Sequence, residues 1–235
     1  MTVTILATPE AIAERELVVE GEAHHHLFRA ARVALGEAVR VVDGHGRARD
    51  GTVIAVDRRR AVVALAGEAA SREPRVHLEL LVAAPRPSRA SWLIEKGTEL
   101  GVRAFRLLAC ERARWAPDRE ALERLRRVAR SAVEQCGRAW LPVVSAPRDL
   151  ADSLAGRSGD ELVVLDPFAA AGPVALPAGG AGRVLVVVGP EGGLTPAELE
   201  IALRLGASPM RLVPSVLRVE TAALAAAAWM LLQGE

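Results

Sequence analysis

The chain reads as an α/β protein of two unequal parts, a small β-rich module followed by a larger region with a mainly parallel sheet covered by helices. Three observations predict this. Residues 39–65 carry short alternating apolar segments punctuated by turn residues. Beyond residue 75 the pattern becomes apolar runs separated by helical stretches of about ten to twenty residues. Between the two lies AGEAASREPR, residues 66–75, small and polar, where the boundary is placed. Alternating strands and helices bury both faces of a sheet, which is the α/β arrangement.

In the first part VRVVDGHG reads as a strand running into a tight Asp-Gly turn, and TVIAV and AVVALAG as further strands. The second part opens with VHLELLVAAP, a strand apolar on both faces as in a buried parallel sheet. SRASWLIEKGTELGV follows as a helix that Ser88 caps and Gly101 ends. RAFRLLAC is the next strand. Asp118 caps a long helix, REALERLRRVARSAVEQCGR, whose Leu122, Leu125, Ala129, Ala132 and Cys136 recur at three- and four-residue steps. Further strands are expected at LPVVSA, ELVVLDP, RVLVVVG and PMRLVP, and AAAGPVALPAGGAG, residues 169–182, is the one flexible, low-complexity stretch.

Composition narrows the function classes. No run of eighteen apolar residues could span a bilayer, and MTVTILATPE lacks the basic and apolar regions of a signal peptide, so a soluble cytoplasmic protein is expected. Cys110 and Cys136 are too few for a disulfide framework and read as buried thiols. The net charge is only +1, but it is unevenly spread. Residues 103–138 hold ten arginines against five acids, while residues 139–235 hold six against ten. Of the 30 basic residues only Lys96 is a lysine, which points to compositional bias before it points to phosphate binding. The run His24–His26 is not a metal site, because adjacent side chains on a helix or strand point apart. Arg29, Arg32, Arg47, Arg49 and Arg58–Arg60 form a basic patch that could position a nucleic-acid backbone.

VLVVVGPEGGLTPAELE is the most informative segment. A buried strand ends in a glycine-rich turn, and a helix starts at once with a capping box, Thr195 and Glu198, and Pro196 at its first position. Gly189, Gly192 and Gly193 allow close backbone approach at the carboxyl end of a parallel strand, where α/β proteins bind ligands. The turn has neither GK[ST] nor GxGxxG, and Glu191 would repel phosphate, so a cationic ligand such as a sulfonium suits it better. LVPSVLRVETAALAAAAWMLLQ repeats the strand, loop and helix, with Arg218 and Glu220 where the Ala-rich helix begins. In EQCGR, Glu134 and Arg138 share a helix face and Gln135 beside them can hydrogen-bond a base edge.

Taken together, His26, Arg32, Gly36, Asp43-Gly44 and Gly46, then EKGTELGV and EQCGR, then GPEGGLTPAELE with VLRVETA, resemble the RsmE family through almost the whole chain. That family methylates N3 of a uridine in small-subunit (16S) ribosomal RNA and belongs to the SPOUT superfamily. The resemblance implies a PUA-like RNA-binding β-barrel over residues 1–70 and a SPOUT methyltransferase domain with a deep trefoil knot over residues 75–235. It implies a homodimer, S-adenosyl-L-methionine as cofactor, and 16S rRNA within the small subunit as partner, with no metal and no membrane. The cofactor site it implies comprises Leu165, Gly189, Pro190, Glu191, Gly192, Gly193, Leu212, Val213, Pro214, Leu217 and Arg218. RNA contacts are implied at Arg29, Arg32, Glu134, Gln135 and Arg138. The chain departs from the family's LGxRILRxET, having Val213 for glycine and Ser215 for arginine, and Val213 is expected to narrow the adenosine pocket.

Uridine N3 must be unpaired and must lose its proton, so Arg138 and Arg218 are candidate catalytic groups that stabilise charge on the uracil oxygens. Glu134, Glu191 and Glu220 are candidate bases that the sequence does not separate. Two other readings stay open: a non-catalytic RNA-binding protein retaining the fold, and an assembly protein using the Ala-rich helix.

Overall fold

In the computed structural model residues 2–25, 27, 33–156, 161–170, 172–173 and 182–234 are described. The chain forms two compact units, one of residues 1–73 with 130–141, the other of residues 74–129 with 142–235. A helix and its following turn thus return to the first unit, which a division by sequence order alone does not contain.

The first unit begins with β1 (Val3–Leu6), a short 3-10 turn (Ala11–Ala13), β2 (Glu16–Glu20) and α1 (Gly21–His24). It continues through β3 (Ala38–Val42), β4 (Ala48–Val56) and β5 (Arg60–Glu68). These strands form one five-stranded sheet in the order β1-β3-β4-β5-β2, with only the β1/β3 pair parallel. Alternation sends Leu17 and Val19, Val39 and Val41, and Val53 and Val63 into one core with Ile5 and Ile12. The expected Asp-Gly turn is built by Asp43, whose Oδ1 accepts from the amides of His45 and Arg47 at 2.7 and 3.0 Å.

The second unit contains β6 (His77–Ala83), α2 (Pro87–Leu100), β7 (Ala104–Leu108), most of α3 (Arg119–Cys136) and β8 (Val143–Arg148). It ends with α4 (Leu150–Leu154), β9 (Glu161–Leu165), β10 (Arg183–Val188), α5 (Pro196–Arg204), β11 (Ser208–Met210) and α6 (Val219–Leu232). Its sheet is six-stranded, ordered β11-β9-β10-β6-β7-β8, and every pairing is parallel. Leu81, Ala83, Leu162, Val164, Leu185 and Val187 face one core with Leu150, Leu154 and Ala202 of the helices α4 and α5. The alternate residues Leu78, Leu80, Val82, Val184 and Val186 are equally buried, and α6 packs on β6, β10 and α2. Burial on both faces is the reason these strands are apolar throughout.

Asp118 caps α3 as expected, its Oδ1 accepting from the Ala121 amide at 2.8 Å. The start of α2 corrects the sequence reading. Arg86, not Ser88, occupies the cap position, no side chain caps the helix, and Pro87 takes the first turn. Proline at the first position forfeits no helical bond and sets the helical φ, so it outranks serine as the start signal. Gly101 ends α2 at φ +121°, where a side chain would also run into Pro74.

The returning residues 130–141 are anchored within the first unit by Glu73. Its carboxylate accepts from Arg138 Nε and Nη2 at 3.1 and 2.7 Å, and from the amides of Ala139 and Trp140 at 2.8 and 3.0 Å. Val133 and Ala139 pack there against Val42 and Ala48. Among the described residues no helix is long and apolar enough to cross a membrane, and no cluster of His, Cys, Asp and Glu could hold a metal ion.

Candidate active site

The carboxyl ends of β9, β10 and β11 open into a cavity of about 480 Å³, within the roughly 300–1,000 Å³ of ligand sites. Three segments wall it: Leu165 to Phe168 at the end of β9, Val188 to Leu194 at the end of β10, and, between β11 and α6, Met210 to Val213 with Ser215 to Leu217. The glycine-rich turn and the segment of residues 212–217, separated in sequence by α5 and β11, are therefore neighbours, because β11 pairs with β9 and β9 with β10. Of the residues expected to hold a methyl donor, Leu165, Gly189 to Gly193, Leu212, Val213 and Leu217 line this cavity. Pro214 and Arg218 are not in its wall, and Arg218 lines a second cavity instead.

The glycine-rich turn is held from three sides. Thr195 and Glu198 form the expected capping box, with the Thr195 amide donating to Glu198 Oε2 at 2.7 Å and the Glu198 amide to Thr195 Oγ1 at 3.2 Å. The other Glu198 oxygen accepts from the Glu111 amide at 2.9 Å, and Arg112 donates to the Gly192 carbonyl at 3.0 Å. The loop after β7 is thereby tied to the turn after β10. Burial alone would raise the Glu198 carboxyl, but its bonds from the Thr195 and Glu111 amides hold it below the ordinary value. Gly189 is sterically required: a Cβ there would lie 2.9 Å from Leu194 Cγ and 3.1 Å from the Leu194 amide nitrogen.

Arg112, Asp166 and Phe168 belong to this wall and were not singled out from the sequence. Arg112 acts across 80 residues, a separation that leaves no local pattern. The Phe168 ring stands 86% exposed at the rim; an aromatic in the turn after the LDP strand end was the available signal. The cavity's charged groups balance, Asp166 and Glu191 against Arg112 and Arg211, and apart from Ser215 the other lining residues are apolar or glycine. Such a wall suits a ligand bearing both a cation and a carboxylate on an apolar body. That is the chemistry of S-adenosylmethionine, and the residues present fit it.

The second cavity, of about 310 Å³, is lined by Arg86, Arg89, Arg114, Trp115 and Arg218, and shares Glu191 with the first. Glu220 is buried and pairs with Arg89 at 3.4 Å, while its Oε2 has no hydrogen-bond partner. Of the other candidate carboxylates, Glu191 is exposed and Glu134 pairs with Arg130 at 3.3 Å in the first unit.

The remaining sequence-nominated residues lie in the first unit or outside the described chain. Arg138 is 3% exposed and occupied by Glu73. Gln135 is exposed on the last turn of α3. Arg29, Arg32 and His26 fall outside the described residues. Arg49 does not belong to an open basic patch, since its guanidinium donates to the carbonyls of Ile12, Glu14, Leu65 and Ala66 and so holds strands together. Arg58 to Arg60 are exposed. The His24 ring is buried against the Asp57 carbonyl at 3.1 Å. Cys110 is buried, whereas Cys136 is only half-buried.

The pattern of an RNA methyltransferase domain matches residues 72–231, and that of an RNA methyltransferase PUA domain matches residues 19–65. The chain is 34% identical over 232 residues to ribosomal RNA small subunit methyltransferase E of Mycobacterium tuberculosis, spanning 89% of this chain and 83% of that one. Identity to the protein of the same name from Synechocystis is 30% over 231 residues, covering 94% and 75%. The crystal structure of ribosomal RNA small subunit methyltransferase E from Neisseria gonorrhoeae bound to S-adenosyl methionine aligns with a TM-score of 0.88 at 25% identity, over 97% of this chain and 96% of that one.

Proposed function

This chain belongs to the RNA methyltransferase family of ribosomal RNA small subunit methyltransferase E, and on that premise we propose that it methylates N3 of a uridine in 16S ribosomal RNA, with S-adenosylmethionine as donor. The observation that carries the reading is the cavity at the ends of β9, β10 and β11, where both sequence motifs meet around a wall of balanced charge. The relative from Neisseria gonorrhoeae, bound to S-adenosyl methionine, supports the choice of donor.

When bound, the donor supplies an electrophilic methyl group on a sulfonium: the N3 lone pair forms the new N–C bond as the S–C bond breaks, its electrons remaining on sulfur. The chain's part is to hold, orient and deprotonate. Gly189 to Gly193, Leu212, Val213 and Ser215 to Leu217 would hold the donor, with Glu191 available to its positive charge. Glu191 is also the carboxylate that borders both cavities, so it receives the N3 proton. Glu220 is engaged by Arg89, and Glu134 by Arg130. Arg218, exposed at the cap position of α6, stabilises the charge that develops on the uracil oxygens. Arg138 is neutralised by Glu73, which assigns it to shaping the EQCGR turn. Arg29, Arg32, Glu134 and Gln135 are assigned to RNA contact. The same reading carries a homodimer and a knotted frame for the donor.

Calorimetry and steady-state kinetics test the assignment on the full chain. Arg218→Ala is expected to leave donor affinity within about twofold and to lower kcat by about 10²–10³. Absence of donor binding by the wild type would leave the non-catalytic RNA-binding reading in its place. Unchanged turnover in Arg218→Ala would remove the arginine's role.

A further inference from the structure

The strands β6 and β10 are parallel neighbours, yet the chain leaves them in opposite directions. After β6 it passes through α2 to β7 on one side, and after β10 through α5 to β11 on the other. The crevice between two such strand ends is where open parallel sheets bind ligands. The second cavity stands there, walled by Arg86 and Arg89 after β6 and by Glu191 after β10.

Its chemistry differs from that of the donor cavity. Four arginines, Arg86, Arg89, Arg114 and Arg218, face one acid, Glu191, in place of a balanced wall. Arg86 and Arg218 are the cap residues of α2 and α6, and neither helix start is closed by a side-chain cap. The arginines, with the uncapped start of α6 beside them, together favour an anion. Arg86, Arg114 and Arg218 are exposed and make no ion pair with an acid among the described residues, while Arg89 is steadied by Glu220. Trp115, half-buried, is the one aromatic residue among those lining this cavity. An anion site with a single flat aromatic wall recognises a phosphate joined to a planar ring. About 310 Å³ is near the lower end of the roughly 300–1,000 Å³ of ligand pockets, which suits one nucleotide and excludes a duplex.

We propose that this cavity is the acceptor subsite and takes one unstacked uridine nucleotide, its base against Trp115 and its phosphate on Arg86 and Arg114. The assignment rests on the donor reading above, because Glu191, common to both cavities, is then the point where base and methyl donor meet. It accounts for the separation of charge between the cavities: a sulfonium is repelled from the arginine-lined one, and a phosphate is attracted to it. Base stacking on Trp115 also supplies part of the free energy needed to hold a nucleotide out of its stack.

The test uses the full-length chain and a fluorescently labelled single-stranded RNA pentanucleotide with a central uridine, followed by anisotropy, with donor affinity measured in parallel. Trp115→Ala is expected to weaken RNA binding about 5- to 150-fold, and Trp115→Phe to stay within about threefold of wild type, because the stacking surface is retained. Arg86→Ala and Arg114→Ala should each lower the slope of log affinity against log salt by about 0.7. Donor affinity should be unchanged in all four, which also reports that they fold. Uridine 5′-monophosphate should compete better than either uridine or inorganic phosphate. Binding within about twofold of wild type in both Trp115→Ala and Arg114→Ala would overturn the subsite. So would competition by inorganic phosphate as effective as that of the nucleotide. If the wild type binds no donor while RNA binding still depends on Trp115, the donor reading fails and the nucleotide subsite stands.

Discussion

Replacing Gly189 with alanine isolates the turn on which the donor cavity depends. The added Cβ would sit 2.9 Å from Leu194 Cγ, 3.2 Å from Leu194 Cδ2 and 3.1 Å from the Leu194 amide nitrogen. Side-chain rotation can relieve the first two contacts but not the third, and Leu194 directly precedes the cap residue Thr195. The turn must therefore move by a few tenths of an ångström against the capping box. Overpacking of this kind costs about 1–3 kcal/mol. Charged to the donor-binding conformation, that is about 5- to 150-fold in affinity. Two neighbours act as internal controls. At Gly193, φ is +72° with open space around it, so alanine is penalised by backbone strain alone, about 1–2 kcal/mol. At Gly192 a Cβ meets only Arg112 side-chain carbons at 3.4 Å, with no positive φ, so donor affinity should stay within about threefold. Calorimetric titration of S-adenosylmethionine into the three variants should thus weaken most at positions 189 and 193 and least at 192. Donor affinity within about twofold of wild type in Gly189→Ala, or a greater loss at Gly192 than at Gly189, would refute the reasoning.

Three other predictions follow from buried and hydrogen-bonded groups. Glu73→Ala takes from the buried Arg138 the carboxylate that pairs with it, and from two amides the oxygen that they donate to. It should destabilise the protein by about 3–5 kcal/mol, a loss of about 6–20 °C in Tm by thermal denaturation; a change under about 1 kcal/mol would contradict the anchoring role. Glu198 has a folded-state pKa held below the ordinary 4.5, so its stabilisation is present above that value and is lost as pH falls through the folded value. The Tm gap between wild type and Glu198→Gln should be open at neutral pH and close on acidification; a gap independent of pH would be the wrong result. The Cys110 thiol is pushed up to about 12 by burial and by Glu198, so a disulfide reagent at pH 8 should leave it unmodified until the protein unfolds. Rapid labelling of Cys110 in the native protein would disprove this protection.

Much of the second unit was legible because its signals are local. The Val and Leu runs of β6, β9 and β10 announce strands buried on both faces, and the capping box at Thr195 and Glu198 fixes the start of α5. The donor cavity was readable for the same reason, since its main walls are two contiguous motifs. Contacts across the fold were not. Arg112 reaches Gly192 because β6 pairs with both β7 and β10, which no local pattern encodes, and the arginine cavity draws its wall from loops after β6, β7 and β10 and from the start of α6. Arginine is so abundant in this chain that Arg86, Arg89 and Arg114 carry no distinguishing mark until they converge. The return of residues 130–141 to the first unit was hidden because α3 runs unbroken through the change, its apolar stripe continuing from Leu125 to Val133. In the first unit β1 and β2 are only four and five residues long, so pairing with β3 and β5 is what makes them strands. Arg49 shows the converse error: a surface charge in the sequence is a bridge between carbonyls in the fold.

The central claim is the reaction itself, and its most direct measurement is methyl transfer from labelled S-adenosylmethionine to small ribosomal subunits that lack the modification, followed by digestion and mass spectrometry of the nucleosides. The account predicts one labelled nucleoside, N3-methyluridine, formed by the wild type and nearly absent with Arg218→Ala. A methyl group on another atom or base, or no transfer by a chain that binds the donor, would contradict it.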